Sequence, residues 1–145
     1  MIKIICLGKL KEKYLNAMVF DYVKRINRYH KIEIIELKDE ESLEKEEAKI
    51  LKYIGEKDFV ITLEIEGKSI KSEELAKLMD TTFITHSTIT FIIGSSLGLS
   101  DKIKSISHYA LSFSNLTFPH GLFRGILLEQ IYRAFKINNH ESYHK

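Results

Sequence analysis

The 145-residue sequence has one cysteine, Cys6, and one proline, Pro119. A single cysteine excludes an internal disulfide and a cysteine-based zinc site. Cys6 falls inside an apolar run and reads as an inert core thiol. No apolar run approaches the ~20 residues that span a bilayer, so no membrane partner is expected. The opening run Met1–Gly8 is too short for a signal peptide and has no small-residue cleavage site; a cytoplasmic protein is the expectation. Internal repeats, low-complexity segments and linkers are missing. The glycine-rich phosphate patterns are missing too: Gly94-Ser95-Ser96-Leu97-Gly98 lacks the Lys-Ser/Thr of a Walker A loop and the spacing of a dinucleotide fingerprint. His86, His108 and His120 are too scattered to suggest a metal site, and no Ser/His/Asp triad can be assigned from spacing.

What remains is the composition of one soluble domain, 1–145, with 44% apolar and 29% charged residues. The net charge of +2 is unevenly spread. Residues 1–31 carry eight Lys/Arg against Glu12 and Asp21, whereas residues 33–58 carry ten Asp/Glu against five lysines. So mild a balance argues against a protein that coats nucleic acid nonspecifically. It allows either one basic face that meets one structured RNA or ordinary solvated helix surfaces.

Periodicity gives alternating strands and helices. Ile2 to Leu7, Ile32 to Leu37, Phe59 to Ile65, Thr88 to Ile93 and Tyr109 to Phe113 read as strands. Helices are expected over Lys11–Arg28, Ser42–Ile54, Ser72–Met79 with Ser72 as N-cap, Ser100 to about Ser107, and Leu122–Ile137. Glu66-Gly67-Lys68 reads as a turn. This alternation predicts an α/β fold, a mostly parallel sheet with helices on both faces. Such sheets bind ligands at the carboxyl ends of their strands. Three loops qualify: after Leu63, at Gly94–Gly98, and at Phe113–His120, where the lone proline stands among small polar side chains.

The last helix is apolar on more than one face, which fits either a central buried helix or one shared with a second subunit. Arg124 in its first turn works against the helix dipole; it is either solvated or close to something anionic. The eight residues from Asn138 to Lys145 have no periodicity, and as mere structure they should fray.

Specific stretches carry a resemblance. Met1–Lys13, Val60–Lys68, Phe91–Leu99, Leu111-Ser112-Phe113-Ser114-Asn115-Leu116-Thr117-Phe118-Pro119-His120, Leu128–Ile137 and Tyr143-His144-Lys145 together resemble the ribosomal RNA large subunit methyltransferase H family, across the whole chain. The resemblance implies the SPOUT fold with a C-terminal trefoil knot, S-adenosylmethionine as methyl donor with no metal, and a homodimer. It implies N3 of a pseudouridine in helix 69 of 23S rRNA as target, on the 70S ribosome or 50S subunit. Carried over by position, the donor would lie against Leu63, Gly94, Phe113, Ser114, Asn115, Leu116, Thr117 and Phe118. Tyr143, His144 and Lys145 would face the target base. His144 is the proton-acceptor candidate by residue type, and Arg124 and Lys145 could grip phosphate or stabilise negative charge. The sequence departs from the family pattern at Ser95, where a glycine is usual, at Gly121 and Gly125, where larger residues are usual, and in a shorter acidic segment over 38–58. Rival readings are a non-catalytic ribosome-binding factor of the same fold, and a methyltransferase acting on tRNA, which would be expected to bring an added RNA-binding domain.

Overall fold

A computed structural model describes residues 1–145. Strands and helices alternate in the order β1 (Ile2–Leu7), α1 (Lys13–Ile26), β2 (Ile32–Leu37), α2 (Leu43–Leu51), β3 (Phe59–Ser69), α3 (Ser72–Thr85), β4 (Ile89–Ile93), α4 (Asp101–Ile106), β5 (Tyr109–Ser112) and α5 (His120–Asn138). The five strands form one sheet in the order β2-β1-β4-β3-β5, every pair parallel. β1 and β4 are central, and their near-continuous apolar sequences are what burial on both faces demands.

Alternate strand residues feed two cores. Ile4, Cys6, Ile61, Phe91 and Ile93 point to the larger core beneath α1, α3 and α5. Ile5, Leu7, Val60 and Ile92 point to the smaller one beneath α2 and α4. Phe91 is wholly buried, which contributes about 1.5–3 kcal/mol over leaving such a side chain in water. Helix α5 lies between α1 and α3. Its surplus apolar faces are therefore used within the subunit: Leu127, Leu128, Ile131 and Phe135 are all buried. Gly121 and Gly125 leave room on α5 for the side-chain ends of Leu10 and Met18: a Cβ on Gly125 would sit 1.9 Å from Met18 Cε, and one on Gly121 2.6 Å from Leu10 Cδ1, so a larger residue at either position would require those flexible ends to shift. Each glycine costs the helix roughly 1 kcal/mol relative to alanine.

Three elements differ from the expectation. β3 does not turn at Glu66-Gly67-Lys68 but runs on to Ser69. Its pairing with β5 skips from Leu63 to Lys68, both opposite Leu111, so residues 64–67 bulge from the ladder. Gly67 is needed there because a Cβ would lie 2.8 Å from the Ala110 carbonyl. Helix α3 continues to Thr85, and Ser72 does not cap it: Lys71 holds the cap position without a side-chain bond, and the Ser72 hydroxyl donates to Gln130 Oε1 at 2.7 Å instead. The tail is not frayed. His140 at φ 55° ends α5 in the left-handed region, and the Glu141 amide returns to the Lys136 carbonyl at 3.0 Å.

Candidate active site

The bulge in β3, the turn after β4 and the loop after β5 all leave the carboxyl edge of the sheet side by side. Between them lies a cavity of about 530 Å³. Of the residues expected to face a small molecule, Leu63, Gly94, Phe113, Ser114, Leu116, Thr117 and Phe118 line it, and Asn115 does not. Leu63 sits where the ladder breaks. Gly94 opens a tight turn closed by the Gly98 amide on the Ser95 carbonyl at 2.9 Å. A Cβ on Gly94 would lie 2.5 Å from the Gly98 carbonyl oxygen. Its missing side chain therefore serves the turn itself rather than an approaching ligand. The loop after β5 is held by Phe123 of α5, edge-on to Phe113 at 5.2 Å and stacked on Phe118 at 6.0 Å.

His120, at the end of the candidate loop Phe113–His120, lines the cavity as well, and sequence reasoning named none of Glu64, Glu66 and Lys104, which also line it. Glu64 is fixed by the Thr62 hydroxyl at 2.6 Å, and Lys104 stands 3.9 Å from its other oxygen. Its position beside the cavity follows from the bulge, which period-two alternation cannot reveal.

None of Arg124, Tyr143, His144 and Lys145 lines the cavity. Arg124 is neither solvated nor open to a phosphate. It is 3% exposed, paired with Glu36 at 2.6 Å and donating to the Gly8 carbonyl at 3.0 Å. The anion inferred from its place on the dipole is thus a side chain of β2. Arg124 ties α5 to the ends of β1 and β2 instead of presenting its charge at the surface, where RNA would meet it.

The tail docks on the outer side of α5. The Tyr143 hydroxyl donates to Glu129 Oε1 at 3.1 Å, its ring stands edge-on to Tyr132 at 5.0 Å, and the Arg133 guanidinium lies over it at 4.8 Å. Burial, then the Glu129 charge, pushes the Tyr143 hydroxyl up to about 12. His144 is held on both sides, with Nδ1 3.0 Å from Arg133 and Nε2 2.5 Å from Glu73. Arg133 can only donate, so Nδ1 accepts and Nε2–H donates to Glu73. The hydrogen bond from His144 holds the Glu73 carboxyl below its ordinary range. Lys145 is exposed.

Cavity and tail are nevertheless connected. The Gln130 side chain donates to Glu129 Oε2 at 2.9 Å while it accepts from Ser72. A second cavity of about 260 Å³ opens beside Ser72 and Gln130, and it shares Leu111, Phe113 and Phe118 with the first. No group of three or more His, Cys, Asp or Glu side chains is placed to hold a metal. No helix is long and apolar enough to cross a membrane.

Comparison with known proteins decides the family. The model of a family described as "Predicted SPOUT methyltransferase" matches residues 1–144. The chain is 50% identical to the ribosomal RNA large subunit methyltransferase H of Streptococcus agalactiae, with 99% of each chain covered. The chain belongs to the ribosomal RNA large subunit methyltransferase H family. The protein of that name from Clostridium botulinum is 49% identical, again over 99% of both chains. Among solved structures, a probable methylase family protein from Haemophilus influenzae superposes with a TM-score of 0.60 at 14% identity, covering 99% of this chain and 70% of that one. That likeness shows the shared α/β SPOUT fold.

Proposed function

We propose that the protein transfers a methyl group from S-adenosylmethionine to N3 of a pseudouridine in helix 69 of 23S rRNA, in the cytoplasm, on the assembled ribosome or its large subunit. What supports the donor is the cavity at the carboxyl edge of β3, β4 and β5. Its volume of about 530 Å³ lies within the usual range for small-molecule sites. Its residues fit such a molecule: Leu63, Leu111 and Phe118 offer apolar walls to a purine ring, and Ser96, Ser114 and Thr117 offer hydroxyls. The donor supplies an electrophilic methyl carbon on a sulfonium, and in-line attack needs the nucleophile held about 3–3.5 Å away. The cavity residues do that holding.

N3 of the target carries a proton that must leave before the nitrogen can attack, and a positioned base supplies typically 10²–10⁴-fold. His144 is the proposed acceptor. Its one free lone pair, on Nδ1, is taken by Arg133 in the docked tail. Serving as base therefore requires Arg133 to turn to another anion, for which an RNA phosphate is the natural candidate. Lys145, exposed beside it, can take a second phosphate.

A homodimer is part of the proposal. The apolar faces of α5 are covered by α1 and α3. Tyr14 and Phe20 on α1, 72% and 71% exposed, and Leu116 at 73%, are among the large apolar side chains left in water, and a second subunit that covered them would remove apolar surface from solvent. The C-terminal trefoil knot belongs to the same proposal and is supported by family membership. Purified protein, labelled S-adenosylmethionine and separated ribosomes, subunits, free 23S rRNA and tRNA test the reading, with mass mapping of the product nucleotide. Methyl incorporation at helix 69 of particles is expected. Label in tRNA, or none anywhere despite donor binding, would overturn it.

A further inference from the structure

Ser95 stands in the turn that rims the donor cavity, and its side chain is 8% exposed as a residue. Its hydroxyl donates to Glu46 Oε1 at 2.6 Å and accepts from the Leu97 amide at 3.2 Å. Glu46 belongs to α2, a helix otherwise largely solvated, yet it is 2% exposed. Its other oxygen accepts from the Glu40 amide at 3.0 Å. No lysine, arginine or histidine pairs with it, although Lys49 one turn on pairs with Glu40 at 2.5 Å. One residue along, Glu47 accepts from the Ser100 hydroxyl at 2.7 Å. Two successive acids of α2 thus hold one serine of the turn and one just beyond it.

A carboxylate buried without a cation is costly unless hydrogen bonds satisfy it. Here one bond comes from the turn that rims the cavity and the other from the approach to α2, so Glu46 ties the two segments together. Apart from its own bond from the Gly98 amide to the Ser95 carbonyl, the turn is open at its tip: a Cβ on Gly98, at φ 80°, would meet nothing, and Leu97 is 48% exposed. Without the Ser95 hydroxyl, the Leu97 amide loses its partner and the Glu46 carboxylate loses one of its two.

We propose that Glu46 and Ser95 act as a positioning pair for donor binding, fixing the Gly94–Gly98 turn in the shape that closes on the methyl donor. Neither residue is a catalytic group. A glycine in place of Ser95 cannot engage Glu46, so the serine and the buried acid work as a unit. This inference rests on the cavity being the donor site.

The test is calorimetric titration of S-adenosylmethionine into wild type, Ser95→Ala, Ser95→Gly, Glu46→Ala and the Ser95→Ala/Glu46→Ala double variant, with thermal unfolding and KM and kcat measured in parallel. Ser95→Ala is expected to weaken donor binding at least about tenfold, the size of a lost bond to a charged group. KM for the donor should rise with it and kcat should change little at saturating donor. The double variant should be no weaker than the worse single variant, since one contact is lost in both. Ser95→Thr, which keeps the hydroxyl, should restore most of the affinity. Unchanged affinity in Ser95→Ala and Ser95→Gly, with or without a fall in melting temperature, refutes the pair's role; so do additive single-variant losses. If Glu46→Ala fails to fold, the Ser95 series decides alone. Wild type that binds no S-adenosylmethionine would instead refute the cavity's assignment as the donor site.

Discussion

The donor cavity and the C-terminal tail are built on opposite plans. The cavity is shaped by backbone: a bulge at 64–67, a turn closed on Gly94, and a loop braced by two aromatic contacts. The tail is shaped by charge: Glu129, Arg133 and Glu73 hold Tyr143 and His144 by side-chain bonds alone. Backbone shape suits holding a molecule still. A cluster of exchangeable polar contacts suits groups that must change partners during a reaction. The Ser72–Gln130–Glu129 bonds are the bridge between the two.

Separating the regions by mutation should show this division. Deleting Tyr143, His144 and Lys145 is expected to lower methyl transfer at least the ~10²-fold typical of losing a positioned proton-transfer group. Donor affinity should change little, because no tail residue lines the cavity; full activity in the truncated protein would remove the tail from the chemistry. Gly94→Val should do the reverse. Its side chain meets the Gly98 carbonyl, so donor binding measured by calorimetry should fall below detection, and tail contacts should persist in an NMR or exchange measurement. Retained affinity would mean the turn yields without cost.

Arg124→Met tests a residue that belongs to neither region. Losing its bonds to Glu36 and Gly8 should cost about 2 kcal/mol in denaturant unfolding, discounted because Glu36 is partly solvated. The salt dependence of RNA binding should not change, and a weaker salt slope would return Arg124 to the RNA-contacting set.

The smallest effect is expected at the opposite, amino edge of the sheet. Desolvation alone would raise the Asp58 carboxyl, but the Gly55 amide, Lys3 and Thr90 together hold it below its ordinary 3.8. A carboxyl depressed on folding stabilises the protein above its unfolded value and ceases to do so as pH falls through the folded one. Asp58→Asn should therefore cost roughly 1 kcal/mol at neutral pH, and the difference should vanish in acid below that value. Both donor binding and methyl transfer should be untouched; a loss of either would couple the two edges.

Strands and most helices were legible because burial on both sheet faces writes continuous apolar runs, as in Ile2–Leu7 and Ile89–Ile93. The two ends of the cavity rim, Leu63 and Phe113–Phe118, were legible as strand ends. What was hidden depended on partners far away in sequence. Glu64 becomes a lining residue only through the bulge. Ser72 looks like a cap but is drawn to Gln130 on α5. Arg124 finds Glu36 and Gly8, and Glu46, one acid in an acidic run, is the one that Ser95 buries. Local pattern reads neither a register shift nor a long-range hydrogen bond. The doubled apolar faces of α5 were read as either a buried helix or a subunit contact, and packing against α1 and α3 favours the first.

The interior position of β1 in the sheet has a kinetic consequence. β1 forms one ladder with β2 soon after it is made, but its other edge waits for β4 near residue 89. Helix α1 likewise waits for α5, about 100 residues further on. Pairings that distant in sequence make folding slow and leave apolar strand edges open meanwhile. During synthesis, then, the chain leaves the α5-facing side chains Ile4 and Cys6 uncovered until α5 has been made, and its demand for chaperones should fall once that helix can dock.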